Sequence, residues 1–368
     1  MVDKSDKIYI FVNQSMNSMN AIFPIRLKQA RVMRGLSMDS LCVKANNIVS
    51  KQAISKYESG KMMPDSTTLI ALSNALSVGI DYFFRPITVS IDNIEFRKKA
   101  RLSVKQIDSI KEIVKDKLER YYEIEAINNI ASDYAFGYGS TTVHVDTDVY
   151  TIAAQIKQDW QLGEDGINNL IEILEENSIK VIEIDATDGF DGLSGYVNGS
   201  KPIIVLNANF NNERKRFTAL HELGHLVLKF DATLPQKEIE DTCNLFAGEM
   251  LISKEIFIRK IGANRSDISL SELSDIQEQF GISIDTLMYK ARALNIITES
   301  RYTTYIKKKS ANKEFKNIVE QSRAKDEQSN RFVRLVYRAL ADGIISLSKA
   351  SALLDCPVDK VRNDLILV

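Results

Sequence analysis

The sequence predicts a mainly α protein with one α+β region, and three observations carry that prediction. Apolar residues recur at helical spacing along most of the 368 residues, and Ser or Gly stands at the ends of several of these runs. At residues 190–207, "FDGLSGYVNGSKPIIVLN", the pattern changes to two short runs around a turn at Asn198 and Gly199, as strands require. The content of 44% apolar and 26% charged residues is that of an ordinary globular chain, which excludes disordered and fibrous classes and allows two or three domains. No apolar run approaches the length that crosses a bilayer, and "MVDKSDKIYIFVNQSMNS" has a short apolar patch with no cleavage-site pattern after it. A soluble, cytoplasmic protein with no membrane partner is expected. Cys42, Cys243 and Cys356 lie far apart with no CxxC spacing, which favours free thiols over disulfides or a thiolate metal site.

The formal net charge of −1 hides a basic segment. Residues 21–87 hold nine Lys or Arg against four acids, a local excess that suits a polyanion. "FPIRLKQARVMRG" reads as an amphipathic helix with Ile25, Leu27, Ala30 and Met33 on or near one side, and Gly35 supplies a left-handed stop. Ser37 caps a second helix through "MDSLCVKA". After "NNIV", a third helix, "SKQAISKYESG", is capped by Ser50 and ended by Gly60, and "MMPDSTTLIALSNALSVGIDYFF" supplies the remaining helices through Leu69, Leu72 and Leu76. Two short helices with a tight turn, the second headed by Lys51 and Gln52 with Lys56 one turn on, have the layout of a helix-turn-helix.

The order and distance of "RLKQAR", "SKQAISKYESGK" and "PDS" resemble the phage-repressor-like (Cro/C1-type) helix-turn-helix family. The resemblance implies operator DNA as partner, with Lys51, Gln52 and Lys56 facing bases, Ser55 alongside them and Lys61 on a phosphate. It makes Ala53, Ile54 and Tyr57 packing residues. The "NNIV" turn is longer than the family's Gly-centred one, and Asn is the residue type that tolerates the positive φ it needs. A homodimer on a two-fold site is expected by fold analogy.

"EFRKKARLSVKQIDSIKEIVKDKLERYYEIEAINNI" predicts a long amphipathic helix with Ile107, Ile110, Ile113, Val114 and Leu118 along one side. Its basic start, Arg97, Lys98, Lys99 and Arg101, reads as a solvated face rather than a phosphate contact. His144, in "TTVHVDTD", is given no role.

The other two histidines fall in "RFTALHELGHLVL". A helix there turns Phe217, Leu220 and Leu228 inward and puts His221 and His225 one turn apart on one face, where two imidazoles can grip one zinc ion (Zn2+). Glu222, next to the first, can hydrogen-bond the metal's water and act as general base in hydrolysis. A third protein ligand must be a carboxylate, since no histidine remains nearby. The helix in "QKEIEDTCNLFAGEMLIS" offers Glu238, Glu240, Asp241 and Glu249, and periodicity does not choose among them.

"RFTALHELGHLVL" followed by "EDTCNLFAGEML" resembles the ImmA/IrrE family of zinc metallopeptidases. That resemblance implies Glu240 as third ligand, Asn244 as a supporting or packing residue one turn on, and a structural Glu249. It extends to "AAQIKQDWQLGEDGINNLIEILEENSIKVIEI" as helix and first strand and to "FDGLSGYVNGSKPIIVLN" as two strands, together a zincin-like domain with a small antiparallel sheet. Leu193 to Val197 is the candidate edge for an extended peptide. Tyr196 and Arg216 are weighed as oxyanion stabilisers, each equally explained by packing or an ion pair. "SLSELSDIQEQFGISIDTLMYKARALNII" closes the domain with two helices, and "RFVRLVYRALADGIISLSKASALLDCPVDKVRNDLILV" vaguely echoes a second helix-turn-helix but favours a docking element.

The expected division is a tail at 1–20, a DNA-binding domain of five helices at 21–87, a helical spacer at 88–150, a peptidase-like domain at 151–300 and a C-terminal helical docking unit at 301–368. The two motifs together imply a bacterial or phage-type transcriptional regulator whose zinc endopeptidase domain cleaves a partner repressor or neighbouring-gene product. Two other classes remain open. One is an antitoxin-like protein that autoregulates its operon and neutralises a neighbour. The other is a plain transcription factor with a non-catalytic zinc site.

Overall fold

The structure is a computed structural model and describes residues 21–91, 102–130, 143, 146–187 and 189–365. The readings made for the tail at 1–20, for Arg97 to Arg101 and for His144 lie outside the described residues. Two compact units divide the described residues: 21–91, 102–130 and 335–365 form the first, and 143, 146–187 and 189–334 form the second.

The first unit opens with α1 (21–33), α2 (Met38–Lys44), α3 (Lys51–Glu58) and α4 (Ser66–Leu76), followed by a 3-10 turn, Ile80–Phe84. Each start has a chemical cause, because Ser37, Ser50 and Asp65 accept hydrogen bonds from the backbone N–H of Ser40, Ala53 and Thr68. Asn46 and Asn47 take the left-handed conformation, with φ of 54° and 56°, and so turn the chain between α2 and α3. Phe23, Leu27, Leu41, Ile54, Leu72 and Phe83 fill the core. Ile25, read as on or near the apolar side of α1, is 49% exposed, and the buried stripe runs through Phe23, Leu27, Ala30 and Met33.

Helix α5 (Val104–Ile127) begins at Ser103 with a capping box closed by Gln106. It belongs to the same unit. Ser109 donates to the Met33 carbonyl at 2.7 Å, and Ile113 packs against the core of α1–α4. Two ion pairs fasten it further, Arg26 to Glu119 at 2.9 Å and Arg85 to Asp116 at 3.0 Å.

In the second unit α6 (Asp146–Asp159) and α7 (Leu170–Glu176) lead into β1 (Lys180–Ile184), β2 (Gly192–Val197) and β3 (Lys201–Asn207). The strand order is β1-β3-β2, with β3 parallel to β1 and antiparallel to β2. The sheet is therefore mixed, not the purely antiparallel one expected. β1 and β2 thus flank β3 on opposite sides, and the β2–β3 hairpin turns at Asn198 and Gly199, with φ of 50° and 82°.

Helices α8 (Asn212–Val227) and α9 (Gln236–Leu251) follow, then α10 (Lys254–Ile261), α11 (Leu270–Phe280), α12 (Ile284–Ala293), α13 (Glu299–Ala311) and α14 (Lys313–Glu320). Leu220, Leu223, Phe246, Met250, Phe257 and Phe280 are among the side chains of one continuous core. The first half of α8 is anchored by polar contacts. Glu213 accepts from the Arg323 and Ala324 N–H groups at 2.7 and 3.1 Å, and Arg216 pairs with the buried Glu327. The chain ends in α15 (Arg331–Ala341), α16 (Leu347–Leu354) and α17 (Val358–Asp364). From Leu335 onward these residues complete the first unit, where Arg120 donates to the Leu353 carbonyl at 2.9 Å and Lys349 pairs with Glu123 at 2.5 Å. No described helix is long and apolar enough to cross a membrane.

Candidate functional site

Helix α8 starts where Asn211 accepts from the Arg214 N–H, and it buries Leu220, Leu223 and Leu226. That face fixes the rotation of His221 and His225. Helix α9 crosses close by because residue 224 is glycine: a Cβ there would stand 3.3 Å from both Cys243 Sγ and Phe246 Cδ1. The close approach brings Glu240, on the first turns of α9, onto the two imidazoles.

Three donor atoms converge as a result. His221 Nε2 lies 3.1 Å from Glu240 Oε2 and 3.2 Å from His225 Nε2, while His225 Nε2 is 3.7 Å from Glu240 Oε1. One atom from each of the three residues fits within 4.8 Å of the others. The imidazoles are supported from behind: Asn244 Oδ1 sits 2.9 Å from His221 Nδ1, and Cys243 Sγ sits 3.5 Å from His225 Nδ1. With Nδ1 so engaged, it is Nε2 of His221 that faces the cluster, where its proton meets the Glu240 carboxylate in the metal-free chain and a metal ion would take that proton's place. Two imidazoles and one carboxylate form the donor set that suits zinc with an open fourth position, so the residues present fit a metal ion.

In the metal-free chain the charges of the cluster hold one another. The hydrogen bond with His221 holds the Glu240 carboxyl down at about 2, against burial and with help from Gln236 and the imidazoles. Burial pushes His221 down, yet its bond to Glu240, the charges of Glu222 and Glu240, and Asn244 together leave it raised. Burial pushes the Cys243 thiol well up, so it stays protonated. Glu222 is buried on the same helix and accepts a hydrogen bond from Ser194 Oγ at 2.9 Å.

The other carboxylates weighed from sequence fall elsewhere. Glu238 and Asp241 are exposed. Glu249 is buried in an ion pair with Lys290 at 2.8 Å and accepts from the Lys254 N–H. Arg216 is no oxyanion donor: its guanidinium is buried against Glu327 and donates to the Ile167 and Phe280 carbonyls at 2.8 and 3.3 Å. Tyr196 is half-buried on β2 and packs against the core. The stretch from Leu193 to Val197 belongs to β2, an edge of the sheet. Sequence reasoning missed Ser194 and Gln236, which bond Glu222 and Glu240; no spacing rule marks a serine 28 residues from the carboxylate it meets.

On α3 of the first unit, Lys51, Gln52, Ser55 and Lys56 are exposed, as is Lys61 beyond its end, while Ile54 and Tyr57 are buried. Lys51 pairs with the exposed Asp39 at 2.7 Å. Arg31 grips Glu58 with two hydrogen bonds, at 2.6 and 2.8 Å, which ties the C-terminal end of α3 to α1.

Residues 174–292 match the family model of the IrrE N-terminal-like domain of the M78 peptidases. Residues 27–83 match that of a helix-turn-helix. No curated protein matches the chain.

Proposed function

We propose that this chain, which carries a Cro/C1-type helix-turn-helix domain and an IrrE-like M78 peptidase domain, is a bacterial or phage-type regulator that binds an operator and cleaves a partner repressor protein through a zinc site. The observation that carries the reading is the convergence of His221, His225 and Glu240 beside the buried Glu222. A zinc ion bound there would supply the Lewis acidity that activates a scissile carbonyl and a water. Glu222 takes the water's proton and delivers it to the leaving amine. His221, His225 and Glu240 would hold the ion, with Asn244 keeping His221 in the right tautomer. An extended substrate lies along the edge of β2, where unpaired backbone groups accept another strand. On α3, Gln52 supplies paired hydrogen bonds to adenine, Lys51 and Lys56 reach guanine or phosphate, Ser55 lies alongside and Lys61 neutralises a phosphate.

The test has two parts. Protein purified without chelator should hold about one zinc per chain, and His221→Ala should lose it. Co-expression with the product of the adjacent gene, followed by mass spectrometry, should give discrete fragments with the parent and none with Glu222→Gln. Zinc-free parent protein, or zinc retained by His221→Ala, refutes the site. Zinc present with an intact neighbour protein refutes the cleavage and leaves the antitoxin-like reading.

A further inference from the structure

Strand β2 presents residues 192, 194 and 196 on one face, since side chains alternate along a strand. Two of these three positions meet the general base. Gly192 leaves no room for a side chain, because a Cβ there would stand 2.7 Å from Thr218 Cγ2 and 3.4 Å from Glu222 Cγ. Ser194, one step further on the same face, donates its hydroxyl to Glu222 Oε2 at 2.9 Å. The glycine thus lets the edge strand close onto α8, and the serine meets the carboxylate that this closeness brings within reach. Glu222 is only 4% exposed, so water is a poor substitute for that hydroxyl.

We infer that Ser194 is a positioning residue for Glu222. It occupies one carboxylate oxygen and fixes the plane of the group, which leaves the other oxygen to accept the water's proton. A carboxylate free to rotate would present either oxygen and would have to be ordered on each turnover, the cost that preorganisation removes. The hydroxyl also sits on the strand whose outer edge receives substrate, so the base is held by the same element that seats the peptide. This inference rests on the metal-site reading.

The test needs no knowledge of the substrate. Cobalt(II) replaces zinc and gives a visible spectrum, and acetohydroxamate serves as probe because it takes the open metal position and hydrogen-bonds the neighbouring carboxylate. Ser194→Ala should bind cobalt as tightly as the parent but bind acetohydroxamate about fivefold to tenfold more weakly, because a carboxylate no longer held by the hydroxyl must be ordered when the probe binds. Ser194→Thr should restore binding to within about twofold, since it returns the hydroxyl. In a Glu222→Gln background, Ser194→Ala should add nothing, which separates positioning from general loss of packing. Cobalt and acetohydroxamate binding unchanged in Ser194→Ala overturns the inference alone, as does a full multiplicative loss in the double variant. A parent chain that binds no cobalt removes the metal reading and this inference with it.

Discussion

His221 carries a raised pKa in the metal-free chain: burial works against it, but Glu240, Glu222 and Asn244 outweigh burial. A group raised on folding stabilises the fold fully below its unfolded value, here the ordinary 6.5, and that contribution is lost as pH rises through the folded value. Glu240 is the opposite case, since its contribution is present above the ordinary 4.5 and lost as pH falls toward about 2. Metal-free protein should therefore lose cluster stabilisation as pH climbs above the ordinary imidazole value of 6.5. Zinc requires neutral imidazoles, so zinc-loaded protein should gain stability over the same range. Melting temperatures between pH 5.5 and 8.5, with chelator and with zinc, should slope in opposite directions; parallel slopes would show that His221 does not face the metal. The pairing of His221 with His225 is legible because the two imidazoles lie one helical turn apart. Glu240 is less so, because Glu238, Glu240 and Asp241 crowd the same stretch and only the crossing at Gly224 selects one. Ser194 is illegible because its partner comes from another element.

The elements of the first unit show the same limit. The apolar stripe of α5 can be read from spacing, whereas its partner cannot, because Asp116, Glu119 and Arg120 look like solvent-facing charges in the sequence and are buried in the fold. Arg26 is 1% exposed, donates to the carbonyls of Arg85 and Pro86, and lies in an ion pair with Glu119. Glu119→Ala would leave that guanidinium uncompensated and should destabilise the first unit by about 3–5 kcal/mol. Replacing both partners with apolar residues, Arg26→Met with Glu119→Leu, should cost far less or nothing. Chemical denaturation of the two variants checks this; equal losses would mean that packing, not charge, joins α5 to α1. On α3, Gln52→Ala should cost roughly 1–3 kcal/mol on the specific operator and little on random DNA. Lys61→Ala should weaken both about equally, and equal losses for both substitutions would remove Gln52 from base reading. The sheet's mixed order was hidden for another reason: strand patterns report which faces are buried, not which edge a strand joins.

At the scale of the whole chain, the second unit is inserted into the first: residues 335–365 return to the unit that contains α1–α5. The exposed residues of α3 and the His221, His225 and Glu240 cluster thus belong to different cores. Substitutions on one surface should leave the other core's folding intact, because sites without shared partners act independently. Lys51→Ala combined with Gln52→Ala removes one exposed ion pair and one exposed amide, so it should abolish operator binding yet leave zinc content and partner cleavage unchanged. Glu222→Gln keeps the size of a buried side chain and removes only its basicity, so it should stop cleavage while zinc content and operator binding stay normal. A gel-shift assay, a fragment assay and metal analysis on both variants decide the matter. Loss of cleavage in the α3 double variant, or loss of operator binding in Glu222→Gln, would mean that the two units are energetically coupled, and DNA occupancy would then have to be treated as an effector of hydrolysis.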